Sequence, residues 1–261
     1  MSRIDDAFAR MRAEQRPGLV TYVTAGDPSL AVTGQILERL DAAGADVLEV
    51  GVPFSDPLAD GPVIQRATER ALAAGAHLDG VLDMLATVRP KIQAPIVIFS
   101  YANPILRMGL ETFASRAQAA GVDGVLTLDV PPEEAGELHG SLTTAGIDTI
   151  FLLSPTTSAE RIRRAAALGS GFLYGISRLG VTGARAEVAD SAESLASRVR
   201  LETAMPLALG FGVSRPEHVA SIGRWADAAV VGSALVNVIA EHAGQPGLLD
   251  EVERYVQWLK S

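Results

Sequence analysis

The densest chemistry in the chain lies between residues 48 and 65, LEVGVPFSDPLADGPVIQ, where Glu49, Asp56 and Asp60 stand among prolines and glycines. Paired carboxylates can share acid and base work, provided one is held in a setting that perturbs its proton affinity. Alternation along 46–50 puts Val47 and Glu49 on one face and the apolar Leu48 and Val50 on the other. If Leu48 and Val50 meet a helix layer, Glu49 points inward, where a carboxylate is costly unless something pairs with it or uses it. The competing reading is a surface carboxylate on a shorter strand. Asp56 and Asp60 have a plainer reading too, as turn formers or helix caps beside Gly and Pro, and composition alone favours it. Pro62 suits the first position of a helix.

Other residue types narrow the chemistry. The chain has no cysteine, which removes thiolate ligands, disulfides and a thiol nucleophile. Its four histidines, His77, His139, His218 and His242, fall in helices or helix joints without ligand spacing, so no metal site is expected. The only lysines, Lys91 and Lys260, are not at strand exits, where a Schiff-base lysine would be needed. Acid–base work is left to carboxylates or tyrosine, with Glu49 and Asp60 the leading pair.

Anion-binding signals come in three places. Gly210-Phe211-Gly212 and Gly232-Ser233 each leave an apolar run, and the second opens a helical stretch, ALVNVIAEH. Glycines let backbone approach an anion, and a helix N-terminus offers free N–H groups. The third is Ser177-Arg178-Leu179-Gly180-Val181-Thr182-Gly183-Ala184, a loop rich in small residues that reads as a lid over 177–190.

These residues need a frame, and the sequence repeats one. AAGADVLEV at 42–50, AAGVDGVLTL at 119–128 and TAGIDTIFLL at 144–153 each pass from helix, through Gly44, Gly121 or Gly146, to an Asp and a buried run. Gly closes a helix and the run after it reads as a parallel strand. Eight strands follow, at 19–24, 46–50, 95–101, 123–128, 148–153, 171–176, 206–210 and 227–231. Helix starts are marked at Asp27-Pro28, Pro62, Pro132, Ser158 and Ser214 before Pro216. Such alternation gives right-handed βαβ units, and eight of them fit a closed (β/α)8 TIM barrel of the α/β class. An open doubly wound sheet is the competitor, disfavoured by the lack of a dinucleotide fingerprint. Ile4, Phe8 and Met11 form the stripe of an extra N-terminal helix across the barrel floor; a short extra helix follows strand eight, and 248–259 is an outer amphipathic helix. No linker interrupts residues 1–261, so one domain is expected.

Net charge is −9 and the pI about 5.0, without the clustered basic residues that nucleic acid requires. The N-terminal MSRIDDAFARMRAEQ is no signal peptide, and runs such as PIVIF are too short to span a bilayer. A cytoplasmic location and no membrane partner are expected.

Over almost the whole chain these motifs resemble the tryptophan synthase alpha subunit family. Residues 48–61 match its signature throughout, and Tyr22 to Pro28, Tyr101-Ala102-Asn103-Pro104, Asp129 to Glu134, Pro155-Thr156-Thr157 and Gly180 to Gly183 follow in family order. The resemblance implies reversible retro-aldol cleavage of indole-3-glycerol phosphate to indole and glyceraldehyde 3-phosphate, with no metal or organic cofactor. It implies that Glu49 shuttles protons, with a pKa lifted toward neutrality, and that Asp60 binds the indole N–H while ionised and exposed on its loop. It assigns phosphate to Gly183, Gly212, Gly232 and Ser233. It places Tyr22, Phe99, Leu126, Leu128, Leu152, Tyr174, Thr182 and Phe211 around the indole and glycerol. Position 22 is commonly phenylalanine in the family, so the hydroxyl of Tyr22 needs a partner. The family works as an alpha2beta2 complex with a beta subunit, and here 53–60 and Asn103 to Met108 match the partner-facing regions. Two other readings are a stand-alone indole-glycerol phosphate lyase and a silent phosphate-binding barrel that regulates a partner; the presence of both Glu49 and Asp60 argues against the last.

Overall fold

The computed structural model describes residues 2–176, 185–210 and 212–261, with only the backbone described over 185–191. Eight parallel strands close on themselves in chain order: β1 (Gly18–Thr24), β2 (Val47–Gly51), β3 (Ile96–Ser100), β4 (Gly124–Thr127), β5 (Asp148–Leu153), β6 (Leu173–Ile176), β7 (Leu207–Gly210) and β8 (Ala228–Val231), with β8 pairing back onto β1. All eight expected strands are present, and the open-sheet alternative is excluded.

The repeated Gly-x-Asp joint has a physical basis. Gly44, Gly121 and Gly146 all take positive φ, the conformation that ends a helix at low steric cost. The aspartate that follows ties the barrel's lower rim. Asp46 accepts the N–H of Leu19 at 2.9 Å and Asp123 that of Ile96 at 2.8 Å, each from the start of a preceding strand. Asp227 does the same for Leu207, also at 2.8 Å. Asp148 instead accepts the Ser2 hydroxyl at 2.6 Å.

That last bond anchors α1 (Arg3–Ala13), which opens with a capping box from Ser2 and Asp5. Its buried Ile4, Phe8 and Met11 enter the same apolar cluster as the inward residues Val20, Val47, Val97 and Ile150, so the helix plugs the barrel floor as expected. The opposite strand faces, Leu19, Val23, Leu48, Val50, Ile96 and Ile98 among them, pack under the helix layer.

The outer helices are α2 (Leu30–Ala42), α3 (Pro62–Ala73), α4 (Leu78–Val88), α5 (Ala102–Met108), α6 (Leu110–Ala119), α7 (Gly136–Thr144), α8 (Ala159–Leu168), α9 (Arg185–Glu202), α10 (Pro216–Ile222), α11 (Ser233–His242) and α12 (Leu248–Leu259). Pro62 and Ser158 start helices where expected. Three starts differ. Asp27 spends its carboxylate on Arg70, at 2.8 and 2.6 Å, and Ser29 caps α2 instead. The 132–134 stretch forms a turn before α7, and Arg215 rather than Ser214 precedes α10. The expected 177–190 loop is helical from Arg185 onward, and its 177–184 part lies outside the described residues. Among the described residues no single helix is long and apolar enough to cross a membrane.

Candidate active site

Glu49 stands on β2 opposite Tyr22 of β1 and Val97 of β3. Its relative exposure is 0%, which removes the surface-carboxylate reading. Among the described residues neither carboxylate oxygen has a partner at hydrogen-bond distance, the Tyr174 hydroxyl lying near but beyond it. Burial pushes its carboxyl up to about 8, while the facing Tyr174 hydroxyl pulls the other way to a smaller extent. An inward carboxylate without a structural partner is poised for proton exchange near neutral pH, where general acid–base catalysis is most effective.

Above this level a cavity of about 510 Å³ opens at the C-terminal mouth of the barrel. Tyr22, Phe99, Leu128, Leu152 and Tyr174 line it, together with Asp60. Tyr22 meets Phe99 edge-on, with ring centroids 5.2 Å apart, and Tyr174 lies 6.3 Å from Phe99. The Tyr22 hydroxyl finds Thr24 Oγ1 at 3.4 Å. Gly51 makes room for it: a Cβ there would lie 2.1 Å from the Tyr22 hydroxyl oxygen. Leu126 does not reach the cavity. It is fully buried in the barrel interior, one pleat lower than Leu128 on the same inward face.

The opposite side of the cavity is built from Gly210, Gly212, Gly232 and Ser233. Gly232 precedes α11 and, having no side chain, offers the first N–H groups of that helix no N-cap bond. Asn237, one turn further along α11, also faces the cavity. The sequence reading missed it, although its i, i+4 relation to Ser233 places both on one helix face. Thr182, Gly183 and Phe211 lie outside the described residues.

Asp60 differs from expectation in one respect. It is half-buried, not exposed, and burial pushes its carboxyl up to about 6, against the opposing pull of the Tyr101 hydroxyl. Tyr101 donates to Asp60 Oδ2 at 3.1 Å. The turn-former reading fits Asp56 better, since among the described residues its exposed carboxylate accepts only the neighbouring Ser55 hydroxyl, at 2.6 Å. Asp60 caps nothing: Gly61 is the N-cap of α3 and has no side-chain bond. Tyr101 and Gln65 were the other residues missed, because their contacts with this loop depend on how neighbouring units pack.

A closed (β/α)8 barrel with a buried carboxylate, an aromatic cavity and a helix N-terminus at its C-terminal mouth is a TIM-barrel scaffold of the kind that carries enzyme sites at that end. A family model described as tryptophan synthase alpha chain matches residues 8–260. The tryptophan synthase alpha chain of Citrifermentans bemidjiense is 48% identical over 260 residues, covering 100% of this chain and 97% of its own. That of Geotalea daltonii is 50% identical over 245 residues, covering 94% and 93%. Among solved structures, tryptophan synthase subunit alpha from Legionella pneumophila superposes with a TM-score of 0.91 at 38% identity, covering 100% and 97% of the two chains. An aminoacrylate-bound tryptophan synthase from M. tuberculosis gives 0.89 at 32% identity, covering 100% and 98%. This chain belongs to the tryptophan synthase alpha chain family, a family of lyases that catalyse the alpha reaction of tryptophan biosynthesis.

Proposed function

We propose that this chain cleaves indole-3-glycerol phosphate reversibly at the site just described, with Glu49 and Asp60 as its two catalytic carboxylates. The observation that carries the assignment is the buried, unpartnered Glu49 beside an aromatic cavity whose far side is an uncapped helix N-terminus. Indole is a poor leaving group as a carbanion. Protonating C3 makes the departing fragment a neutral arene, so Glu49 delivers a proton there and takes one from the glycerol hydroxyl as the carbon–carbon bond breaks. The products are indole and the aldehyde of glyceraldehyde 3-phosphate. Asp60 accepts the indole N–H and offsets the positive charge that develops on the ring. With a carboxyl raised only to about 6, it remains mostly ionised at neutral pH.

Tyr22, Phe99, Leu128, Leu152 and Tyr174 enclose the indole and glycerol, and Leu126 supports them from below. Gly212, Gly232 and Ser233 take the phosphate together with Gly183, while Thr182 and Phe211 belong with the residues around the indole and glycerol; Gly183, Thr182 and Phe211 lie outside the described residues. The whole of 1–261 acts as one cytoplasmic folding unit, without nucleic acid or membrane.

Its macromolecular partner is a beta subunit, docked on the 53–60 loop and α5. Two observations support that face. Leu58 at the loop tip is 92% exposed and Leu106 on α5 is 61% exposed, unusual for large apolar side chains. Between the two segments a cleft of about 760 Å³ is lined by Pro53, Phe54, Asn103 and Arg107.

The test is to incubate the purified chain with indole-3-glycerol phosphate, with and without a beta subunit, and to assay indole. Indole formation accelerated by the partner is expected. No indole in either case would refute the assignment, and equal rates would favour a self-sufficient lyase.

A further inference from the structure

The Asp60 loop is held by side chains from outside it. Gln65, in the first turns of α3, donates through Nε2 to the Asp60 carbonyl at 2.9 Å and to the Pro57 carbonyl at 3.3 Å. One amide therefore closes the base of the turn. Tyr101 follows β3 and forms the N-cap of α5. Its hydroxyl donates to Asp60 Oδ2 at 3.1 Å and accepts the Ala59 N–H at 2.9 Å, while its ring rests 5.2 Å from that of Phe54. A single hydroxyl thus engages the backbone and the carboxylate of one dipeptide, which fixes where the loop sits and which way the carboxylate points.

We propose that Tyr101 is a positioning residue for Asp60 in the lyase reaction, and that Gln65 supplies the backbone half of the same clamp. The proposal rests on the role assigned to Asp60 above. Misplacing a catalytic group by an ångström can cost on the order of a hundredfold in rate, so two independent restraints on one loop have a catalytic consequence. Tyr101 is suited to act as a permanent donor. Burial and the neighbouring Asp60 charge raise its phenol, so it keeps its proton across the working range. The other titratable groups coupled to this position are Tyr22 from β1 and Tyr174 from β6, both raised chiefly by burial and further by the Asp60 charge.

The experiment is a double-mutant cycle on the full chain in the alpha reaction, with kcat and KM followed from about pH 5 to 9. Tyr101→Phe keeps the ring against Phe54 and removes only the hydroxyl. It is expected to lower kcat by about ten- to a hundredfold with KM little changed. The acidic limb of the kcat profile should move to higher pH, because the Asp60 carboxylate has lost a donor. In an Asp60→Asn background the same change should cost nothing further. Gln65→Met, close in shape, should lower kcat without moving that limb. An unmoved limb in Tyr101→Phe, or losses that multiply fully with Asp60→Asn, would overturn the positioning role. Wild-type turnover in Asp60→Asn alone is a distinct failure: it removes Asp60 from the reaction, and the clamp's catalytic purpose with it.

Discussion

Replacing Glu49 by Gln should change activity and stability in opposite directions, and the structure gives the size of both. The amide keeps the shape of the side chain but cannot cycle a proton, so turnover should fall by ~10²–10⁴ or more. The stability effect follows from linkage. Burial lifts the native carboxyl from its ordinary value near 4.5 to about 8. Below pH 4.5 both folded and unfolded chains carry the proton, and the group has no influence. Between the two values the native chain binds more protons than the unfolded chain, so stability falls as pH rises. Above pH 8 the loss levels off at roughly 4–5 kcal/mol, of which roughly 3–4 kcal/mol accrues between pH 5 and 9. The Gln variant lacks this slope. Denaturant unfolding of both proteins across that range isolates the effect, because any constant cost of burying the amide cancels when differences between pH values are compared. The variant should gain on the wild type by roughly 3–4 kcal/mol between the two ends. Parallel curves would mean that Glu49 is not held in a desolvated setting, and the reasoning from burial to catalytic pKa would fail.

Asp60→Asn should cut turnover strongly with the fold intact by circular dichroism; full activity would restore the turn-former reading, since Asn serves in turns as well as Asp. Asp46→Asn should destabilise by about 1–3 kcal/mol at neutral pH, since it weakens the two-bond pairing of the buried Asp46 with the half-buried Arg16, 2.7 Å away, and equal denaturant midpoints would refute this. Gly51→Ala would place a methyl 2.1 Å from the Tyr22 hydroxyl oxygen, so it should push Tyr22 into the cavity, raise KM and cost about 1–3 kcal/mol of stability. A glycerol phosphate analogue should tighten beta-subunit binding by roughly five- to a hundredfold, as linkage requires if the partner steadies the Asp60 loop; unchanged partner affinity by calorimetry would exclude that coupling.

The barrel was legible because its signals are local. A helix-ending glycine, an aspartate and an apolar run lie within a few residues of one another, and the same joint recurs at Gly44, Gly121 and Gly146. Helix starts were less so where a side chain had a better offer elsewhere, as Asp27 has in Arg70, 43 residues away. Within the site, strand alternation gives the face but not the depth. It treats Leu126 and Leu128 alike, although the first lies in the closed interior and the second at the cavity. Family likeness supplied roles for Glu49 and Asp60 but gave none to Tyr101. Its importance lies in a bond across 41 residues of sequence, made only when the exits of β2 and β3 come together.

Asp46 and Glu49 show how one short run of sequence serves both ends of the barrel. Asp46 lies at the lower rim, where burial alone would raise its carboxyl. Bonds from Arg16 at 2.8 and 2.7 Å and from the Leu19 N–H at 2.9 Å outweigh that burial and hold it below the usual range. A depressed carboxyl stabilises the fold above its unfolded pKa, and that contribution is lost as pH falls through the native value. Glu49, one pleat into the same strand run, is given no such partners, and its contribution has the opposite sign. The satisfied carboxylate lies on the face where barrels are held together, and the unsatisfied one points toward the face where they do chemistry. Supplying Glu49 with a permanent cationic partner would recover the stability that its burial costs. It would also pull the proton affinity back toward an ordinary carboxylate, away from the range in which one group can both give and take a proton.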